Sequence, residues 1–350
     1  LKLSKAVVLG TILTSEITYS QSGERTSAVT VIRIDTVLKN HPKLKGLKEL
    51  TIPRYVFMTE EVRSQQHLFF IDCYQNGIEI SSGIPFAKKS EIATFIRGIL
   101  QRDRNRIEQI RFTIDYANHS EKGIQALAFG ILERAKYSDW SQAVKKAPIH
   151  RLTRWLRDPN NQKSRKGYFV RMLGHTACKL KEVEPFILAL LRNPTFAAST
   201  EMKDALIGYT LLAPEKGFRV VANLLLNPDG SFGSRYLAFQ ACRFFLHQRC
   251  DVIARPRLIQ LMVRCQKLDD FADLPLDELR YAKAWHCAKL ILDRPSNQKE
   301  LPKFVARATL AFALECPLNC AKNYVNKIRQ INPALVKSVT RALKIEKESQ

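Results

Sequence analysis

The sequence predicts an α+β chain in which a small N-terminal antiparallel β-barrel or sandwich, of the OB or netrin-like kind, precedes an all-α, HEAT-like solenoid. Residues 1–87 contain short apolar runs separated by turn residues, which is typical of strands. The hydrophobic period changes from 2 to about 3.6 near residue 88. Beyond that point, prolines follow helical segments at nearly regular intervals. We therefore expect two domains, residues 1–87 and residues 88–350.

Five segments of the first domain have the composition of β-strands. Val29, Val31 and Ile34 largely alternate with polar residues, as in a strand with one buried face. Asn76–Gly77 is a hairpin signal before the last segment. The predicted strands are Ala6–Leu13, Ser27–Leu38, Leu50–Ile52, His67–Cys73 and Ile78–Ile80. Five short strands at this spacing favour a small antiparallel barrel or sandwich.

The second domain shows helical periodicity throughout. Ile92, Phe95, Ile96 and Ile99 recur at the spacing of one helix face, and similar patterns follow. Strand-like alternation does not return after this point. The second domain is therefore predicted to consist of helices alone.

Several of these predicted helices stop at Asp or Asn followed closely by Pro. Asp and Asn tolerate the turn at a helix end, and Pro can begin a helix but cannot continue one. Pro159, Pro194 and Pro228 are 35 and 34 residues apart, and Pro295 follows 67 residues later, about two periods. A period near 34 residues is typical of stacked helix pairs. Tetratricopeptide signatures are missing from the expected offsets, so we expect a degenerate array of the HEAT kind.

The chain is strongly basic, and the basic residues are concentrated in the second domain. Lys and Arg number 56 against 33 Asp and Glu, a net charge of +23. Residues 1–100 hold 13 Lys and Arg and 9 Asp and Glu, whereas the rest of the chain holds 43 and 24. Such an excess favours acidic partners, or it forms a solvated surface without a polyanionic partner. The sequence contains no apolar run of the length of a transmembrane segment.

The densest positive cluster is predicted on one helix and the segment that follows it. It comprises Arg151, Arg154, Arg157, Lys163, Arg165, Lys166 and Arg171. The first three are spaced three residues apart, so they project to adjacent parts of one helix face. We interpret the cluster as a candidate polyanion-binding site that contacts phosphate or other anionic groups. The alternative is a solvated helix face with Trp155 and Leu156 in the core, the usual role of a charge run.

A second basic segment joins two predicted strands of the first domain. It contains Lys39, His41, Lys43, Lys45 and Lys48. We interpret it as a solvated surface loop, because clusters of like charge are usually exposed to water.

The eight cysteines are mostly placed among apolar neighbours, where a free thiol behaves as a small buried hydrophobe. Cys316 and Cys320 form the one close pair, and they are a candidate disulfide if the chain is exported. Pro317 between them suits the first turn of a helix. Zinc-ligand spacings, a nucleophile elbow and a phosphate-binding glycine loop are all missing from the sequence. We predict no catalytic residue, no metal site and no cofactor.

Several motifs resemble those of a family of exported planctomycete proteins with a small N-terminal β domain and HEAT-like helical repeats. The motifs are Leu50–Val56, Cys73, Gly83–Pro85, Arg154–Pro159 with Lys166–Tyr168, Ser234–Ala238, Arg243–Phe245, Asp251–Ile253 and Arg255. They are spread over nearly the whole chain. The resemblance implies export to the periplasm or cell envelope, with a signal peptide and a Cys-Pro-Phe-Cys-like segment upstream of Leu1. It implies no activity.

These observations favour a non-catalytic binding or scaffold protein whose helical-repeat surface binds a protein or an acidic polymer. The alternative is a nucleic-acid-binding helical repeat protein that uses the basic second domain, although the sequence has no specific nucleic-acid-binding motif. An enzyme with a site at the junction of the two domains is the third hypothesis, because domain interfaces often hold pockets.

Overall fold

The structure of the chain is a computed structural model. It describes residues 4–22, 25–75, 77–87, 89–161, 163–266, 268, 271–293 and 302–348, without the side chains of Arg25, Lys163 and Ser164. The chain divides into two compact units, residues 1–147 and residues 148–350. In the described part of the chain, none of the helices has the length and apolar character needed to cross a bilayer. The predicted α+β class is confirmed, with a sheet at the N-terminus and helices after it.

The first unit contains one five-stranded antiparallel sheet, as predicted from the alternating segments. Its strands are β1 (Ala6–Tyr19), β2 (Arg25–Lys39), β3 (Glu49–Ile52), β4 (Gln66–Tyr74) and β5 (Gly77–Phe86). The strand order across the sheet is β3-β2-β1-β4-β5. β1 is longer than predicted because it continues beside β2 past Gly10, where its pairing with β4 ends. Asn76, from the predicted hairpin turn, lies outside the described residues.

The prediction of a closed barrel or a sandwich is wrong, because the five strands form a single open sheet. β3 and β5 lie at the two ends of the strand order, and each pairs with one neighbour only. Closing a barrel requires its end strands to pair with each other. β3 has 4 residues, whereas β1 has 14 and β2 has 15, so β3 offers little backbone for that pairing.

Each face of the sheet carries its own buried apolar cluster. On one face Val7, Leu9 and Leu68 pack with Phe95 and Ile96 of the helix that follows the sheet. On the other face the strands pack with residues of their own connections, including Leu44. The helices of this unit are α1 (Glu60–Ser64), α2 (Ile92–Gln101), α3 (Arg106–Asp115), α4 (Lys122–Glu133) and α5 (Tyr137–Val144).

All the regular secondary structure described in the second unit is helical. Its helices are α6 (Ile149–Arg157), α7 (Lys163–Leu173), α8 (Leu180–Leu191), α9 (Pro194–Ala197), α10 (Met202–Leu212), α11 (Pro214–Leu226), α12 (Phe232–Gln248), α13 (Arg255–Cys265), α14 (Asp273–Tyr281), α15 (Ala288–Leu292), α16 (Lys303–Glu315), α17 (Asn319–Ile331) and α18 (Pro333–Glu348). α6, α8, α11 and α15 end just before the prolines used to predict the repeat, and Pro194 begins α9. Pro295 lies outside the described residues.

Candidate polyanion-binding surface

Helix α6, which begins the predicted arginine cluster, is amphipathic, and its apolar side is buried. Trp155 is 7% exposed and Leu156 is 2% exposed. The Trp155 ring lies 5.2 Å from the Phe169 ring of α7, centroid to centroid. Arg154 and Arg157 lie on the opposite, exposed side. The burial of Trp155 and Leu156 agrees with the interpretation that places these two residues in the core.

Arg157 is exposed, but it is held by α8. Its Nη2 donates to the backbone carbonyl of Glu182 at 2.9 Å, and its guanidinium lies 5.0 Å from the Phe186 ring centroid. A cation over an aromatic face is attracted to the ring quadrupole. Arg157 therefore joins α6 to α8, whatever else it binds.

Arg171 has a packing role between helices. Its Nη1 lies 2.9 Å from Oδ1 of Asp204 in α10, and the two side chains are 21% and 13% exposed. The guanidinium also lies 5.3 Å from the ring of Phe244 in α12. An ion pair with so little water around it fixes the helices that carry it, which leaves Arg171 little freedom to bind an anion.

The remaining members of the predicted cluster differ in exposure. Arg151, Arg165 and Lys166 are partly buried, and burial lowers the pKa of Arg165. The backbone of Lys163 begins α7, and its side chain lies outside the described part of the structure. The seven residues therefore do not form one exposed array, and their binding of a polyanion stays a prediction.

Cys316 and Cys320 lie on either side of the turn between α16 and α17. The structure contains no bridge between them, and the other six cysteines are likewise unbridged in it. Cys316 follows the last residue of α16 and is 4% exposed, whereas Cys320 is the second residue of α17. α17 begins at Asn319, so Pro317 precedes the helix and does not lie in its first turn. A disulfide between the two cysteines stays a prediction.

A different basic surface, which we did not predict, lies on the last two helices. We call it the C-terminal basic surface and define it by five exposed residues, Lys322 and Arg329 of α17 and Lys337, Arg341 and Lys344 of α18. A signal for it was present in the sequence. Residues 316–345 contain six Lys and Arg and not one Asp or Glu.

The helical spacing aligns these cations in two stripes. Lys337, Arg341 and Lys344 are related as i, i+4 and i+7, so they share one side of α18. Lys322 and Arg329 share one side of α17 in the same way. Among the described residues, only Lys344 of these five faces a carboxylate, that of Glu348 at 4.0 Å. Arg329 donates to the amide oxygen of Asn326 at 3.1 Å, which leaves its charge uncompensated.

The buried sides of α17 and α18 explain why the cations face outward. Ala321 and Val325 are buried on α17, and Val336 and Val339 are buried on α18. α16, α17 and α18 pack against one another. The apolar positions thus fix the rotation of each helix about its axis and leave the cationic stripes in water.

An ion-pair network around Arg280 holds α18 against α14 and α16. Arg280 is 6% exposed; its Nη1 lies 3.1 Å from Glu315 and its Nη2 lies 3.1 Å from both carboxylate oxygens of Glu346. Tyr281 donates a further hydrogen bond to Glu346, and Lys347 lies 3.0 Å from Glu315. A buried charge requires such partners, and the network supplies them to both Nη atoms, whereas Nε makes no hydrogen bond to a described residue and lies 3.5 Å from Asp277.

The pKa values of the network follow from these contacts. Burial disfavours the charged form of Arg280, but its hydrogen bonds to Glu346 and Glu315 outweigh this and raise its pKa. Burial would raise the pKa of Glu315, yet the hydrogen bonds from Lys347 and Arg280 lower it. The hydrogen bond from Tyr281, aided by Arg280, lowers the pKa of Glu346. Burial raises the pKa of Asp277, which lies at the edge of the network.

The chain matches no known protein family, no curated protein and no solved structure.

Proposed function

We propose that the chain is a non-catalytic binding protein that binds an acidic polymer through the C-terminal basic surface. The observation that carries this proposal is the stretch of 30 residues, 316–345, with six cations and no carboxylate. A polymer with regularly repeated negative charge gains affinity from each cation that it contacts, because counterions are released.

The geometry of the stripes supports a linear ligand. Along an α-helix, residues i and i+4 are separated by about 6 Å and residues i and i+7 by about 10.5 Å. Lys337, Arg341 and Lys344 therefore present three charges in a row, and a repeating anion can contact them in succession. Like charges at this spacing destabilise a helix slightly when no anion is bound, and a bound polyanion removes that repulsion.

We also propose that the helices form a HEAT-like solenoid and that the protein acts in the cell envelope, as expected from the sequence. Packing between successive helices from α10 to α14, and again from α15 to α18, supports a HEAT-like solenoid that presents an extended surface. The resemblance to exported proteins with such repeats supports a role in the cell envelope. An anionic glycan is then the acidic polymer that fits best, and nucleic acid is the alternative that the experiment must separate.

The experiment is a salt titration of binding to heparin and to duplex DNA, with wild-type protein and a triple variant, Lys337→Gln/Arg341→Gln/Lys344→Gln. We expect the variant to bind heparin more weakly by on the order of tenfold, since three counterion-releasing contacts are lost. The slope of log K against log salt should also become shallower, by up to about 0.9 for each lost contact.

The matched control is Arg134→Gln/Lys145→Gln/Lys146→Gln, which removes the same charge from exposed positions of the first unit. Equal losses in both triple variants would mean that net charge alone drives binding, and this would overturn the proposed site. Tighter binding of duplex DNA than of heparin at equal salt would favour nucleic acid. Absence of binding to either polymer at low salt would overturn the proposed function.

A further inference from the structure

The two unpaired edges of the sheet border one cavity. It measures ≈ 520 Å³, and its lining includes Glu49–Ile52 of β3 and Gly77, Ile78 and Ile80 of β5. Leu50 and Ile80 also line the cavity. Both belong to the buried cluster that includes Leu44, and they are 5% and 8% exposed. Ile52 and Ile78 lie beside them. The cavity is therefore a cleft between two strand edges, with apolar side chains at its base and a lining that is more polar than apolar.

The strand pairing fixes the direction of these edges. β3 is antiparallel to β2, β2 to β1, β1 to β4 and β4 to β5. β3 and β5 consequently run in the same direction. A single extended segment between them would be antiparallel to both, which is the more stable pairing per residue.

The register of β3 shows which of its backbone groups face the cleft. Ile34 donates to the carbonyl of Lys48 at 2.8 Å, so these residues form a hydrogen-bonded pair of the antiparallel ladder. Hydrogen-bonded pairs alternate with non-hydrogen-bonded pairs along a ladder, so the backbone groups of Leu50, two residues further, also bond to β2. By the same alternation, the amide and carbonyl groups of Glu49 and Thr51 point away from β2, toward the cleft. Unpaired edge groups of this kind are a template for another strand.

At one end of the cleft, a lysine side chain connects the two sides. Lys43, in the connection between β2 and β3, donates through its Nζ to the carbonyls of Tyr74 and Gln75, the latter at 2.8 Å. These carbonyls lie where β4 passes into β5. The ammonium group thus links the β3 side of the sheet to the β5 side where no ladder does.

The charge around this end is positive. The connection that carries Lys43 also has exposed Lys45 and Lys48, and the sequence has no Asp or Glu from Thr36 to Lys48. Of the edge carboxylates, Glu79 lies further along β5, whereas Glu49 begins β3 next to Lys48 and lies at this end, where the three lysines outnumber it. An occupant with negative charge at this end is favoured by complementarity.

We propose that this cleft binds an extended, acidic peptide segment of a partner protein, which adds as a sixth strand between β3 and β5. Its backbone pairs with the edge groups of Glu49 and Thr51, and its alternate apolar side chains cover Leu50 and Ile80. Because it runs antiparallel to both edges, its C-terminal end lies beside Lys43, and its acidic residues are located there. The four residues of β3 that line the cleft span about 13 Å.

The test uses the full chain and a fluorescent synthetic peptide, Thr-Val-Thr-Val-Thr-Val-Asp-Asp, in an anisotropy titration. Two matched peptides end in Lys-Lys or carry N-methyl groups on alternate residues. We expect the acidic peptide to bind and N-methylation to weaken it by on the order of tenfold, because the edge groups lose their partners. Hydrogen exchange at the Glu49 and Thr51 amides should slow on binding. Equal affinity of all three peptides, or no added protection at these amides, would overturn the proposal.

Two variants locate the site. Thr51→Pro removes the outward amide, and proline is compatible with an edge strand, so binding should be lost. If this variant fails to fold, Lys45→Glu/Lys48→Glu leaves the edges intact and should reverse the preference toward the Lys-Lys peptide. If this variant still binds the Asp-Asp peptide more tightly than the Lys-Lys peptide, the proposal of an acidic occupant is overturned. A dimer in sedimentation experiments with Glu49 and Thr51 already protected would show that a second copy fills the cleft, which would also overturn the proposal.

Discussion

Glu346 accepts two hydrogen bonds from Arg280 at 3.1 Å and one from Tyr281, so at the residue scale it links α18 to α14. We expect Glu346→Gln to lower the free energy of unfolding by about 1–3 kcal/mol, because it replaces charged hydrogen bonds of a nearly buried arginine with neutral ones. Urea denaturation at pH 7 measures this change. Glu348→Gln is the control, since Glu348 is 65% exposed and lies 4.0 Å from Lys344. A surface pair of that kind contributes about 0–1 kcal/mol, and equal effects of both variants would contradict this account.

The same residue predicts a pH dependence. The pKa of Glu346 is lowered from its ordinary value of 4.5, so its contribution is fully present above that value and is lost as pH falls through the folded pKa. The pKa of Glu315 is shifted in the same direction, whereas that of Asp277 is raised and opposes the trend. We expect the stability difference between wild type and Glu346→Gln to disappear in acid. A difference that persists at pH well below 4.5 would rule out this linkage.

Among the elements, α7 and α10 approach each other at a glycine. A Cβ atom on Gly208 would overlap the carbonyl group of Val170. We expect Gly208→Ala to destabilise the second unit by about 1–3 kcal/mol through overpacking, although alanine favours a helix. Thermal denaturation measures the loss. In the control Gly233→Ala, at the start of α12, the new methyl comes no closer than 4.0 Å to the Ser231 hydroxyl, so stability should stay the same or rise slightly.

Local sequence signals predicted individual elements, whereas the pairing of strands that are distant in sequence was not predictable from them. Strand alternation and the prolines after α6, α8 and α11 are local signals, and they located these elements in the sequence. Closure of the sheet depends on whether β3 meets β5, two strands that are far apart in sequence, and no local pattern encodes it. α1 was also missed, because its signal is a single cap: the Thr59 side chain accepts from the Val62 amide.

The arginine cluster of residues 151–171 also depends on contacts between distant segments, which its local charge pattern does not reveal. Density of positive charge drew attention to residues 151–171, but the partners that engage Arg157 and Arg171 lie on α8, α10 and α12. Such contacts between distant segments cannot be seen in one short stretch of sequence. The C-terminal basic surface could have been found, because the lack of Asp and Glu over residues 316–345 is a property of the sequence itself. Density alone was therefore a poorer criterion than charge imbalance.

For the whole molecule, the division into residues 1–147 and 148–350 predicts two unfolding transitions, because each unit has its own buried residues. Phe95 in the first unit and Phe312 in the second are both fully buried. Replacing a buried phenylalanine with alanine costs about 3–5 kcal/mol. We expect calorimetry to show Phe95→Ala lowering the midpoint of one transition, and Phe312→Ala that of the other, by on the order of 10 °C. A single transition that both variants lower equally would mean that the two units unfold as one cooperative body, since each core would then stabilise the whole chain.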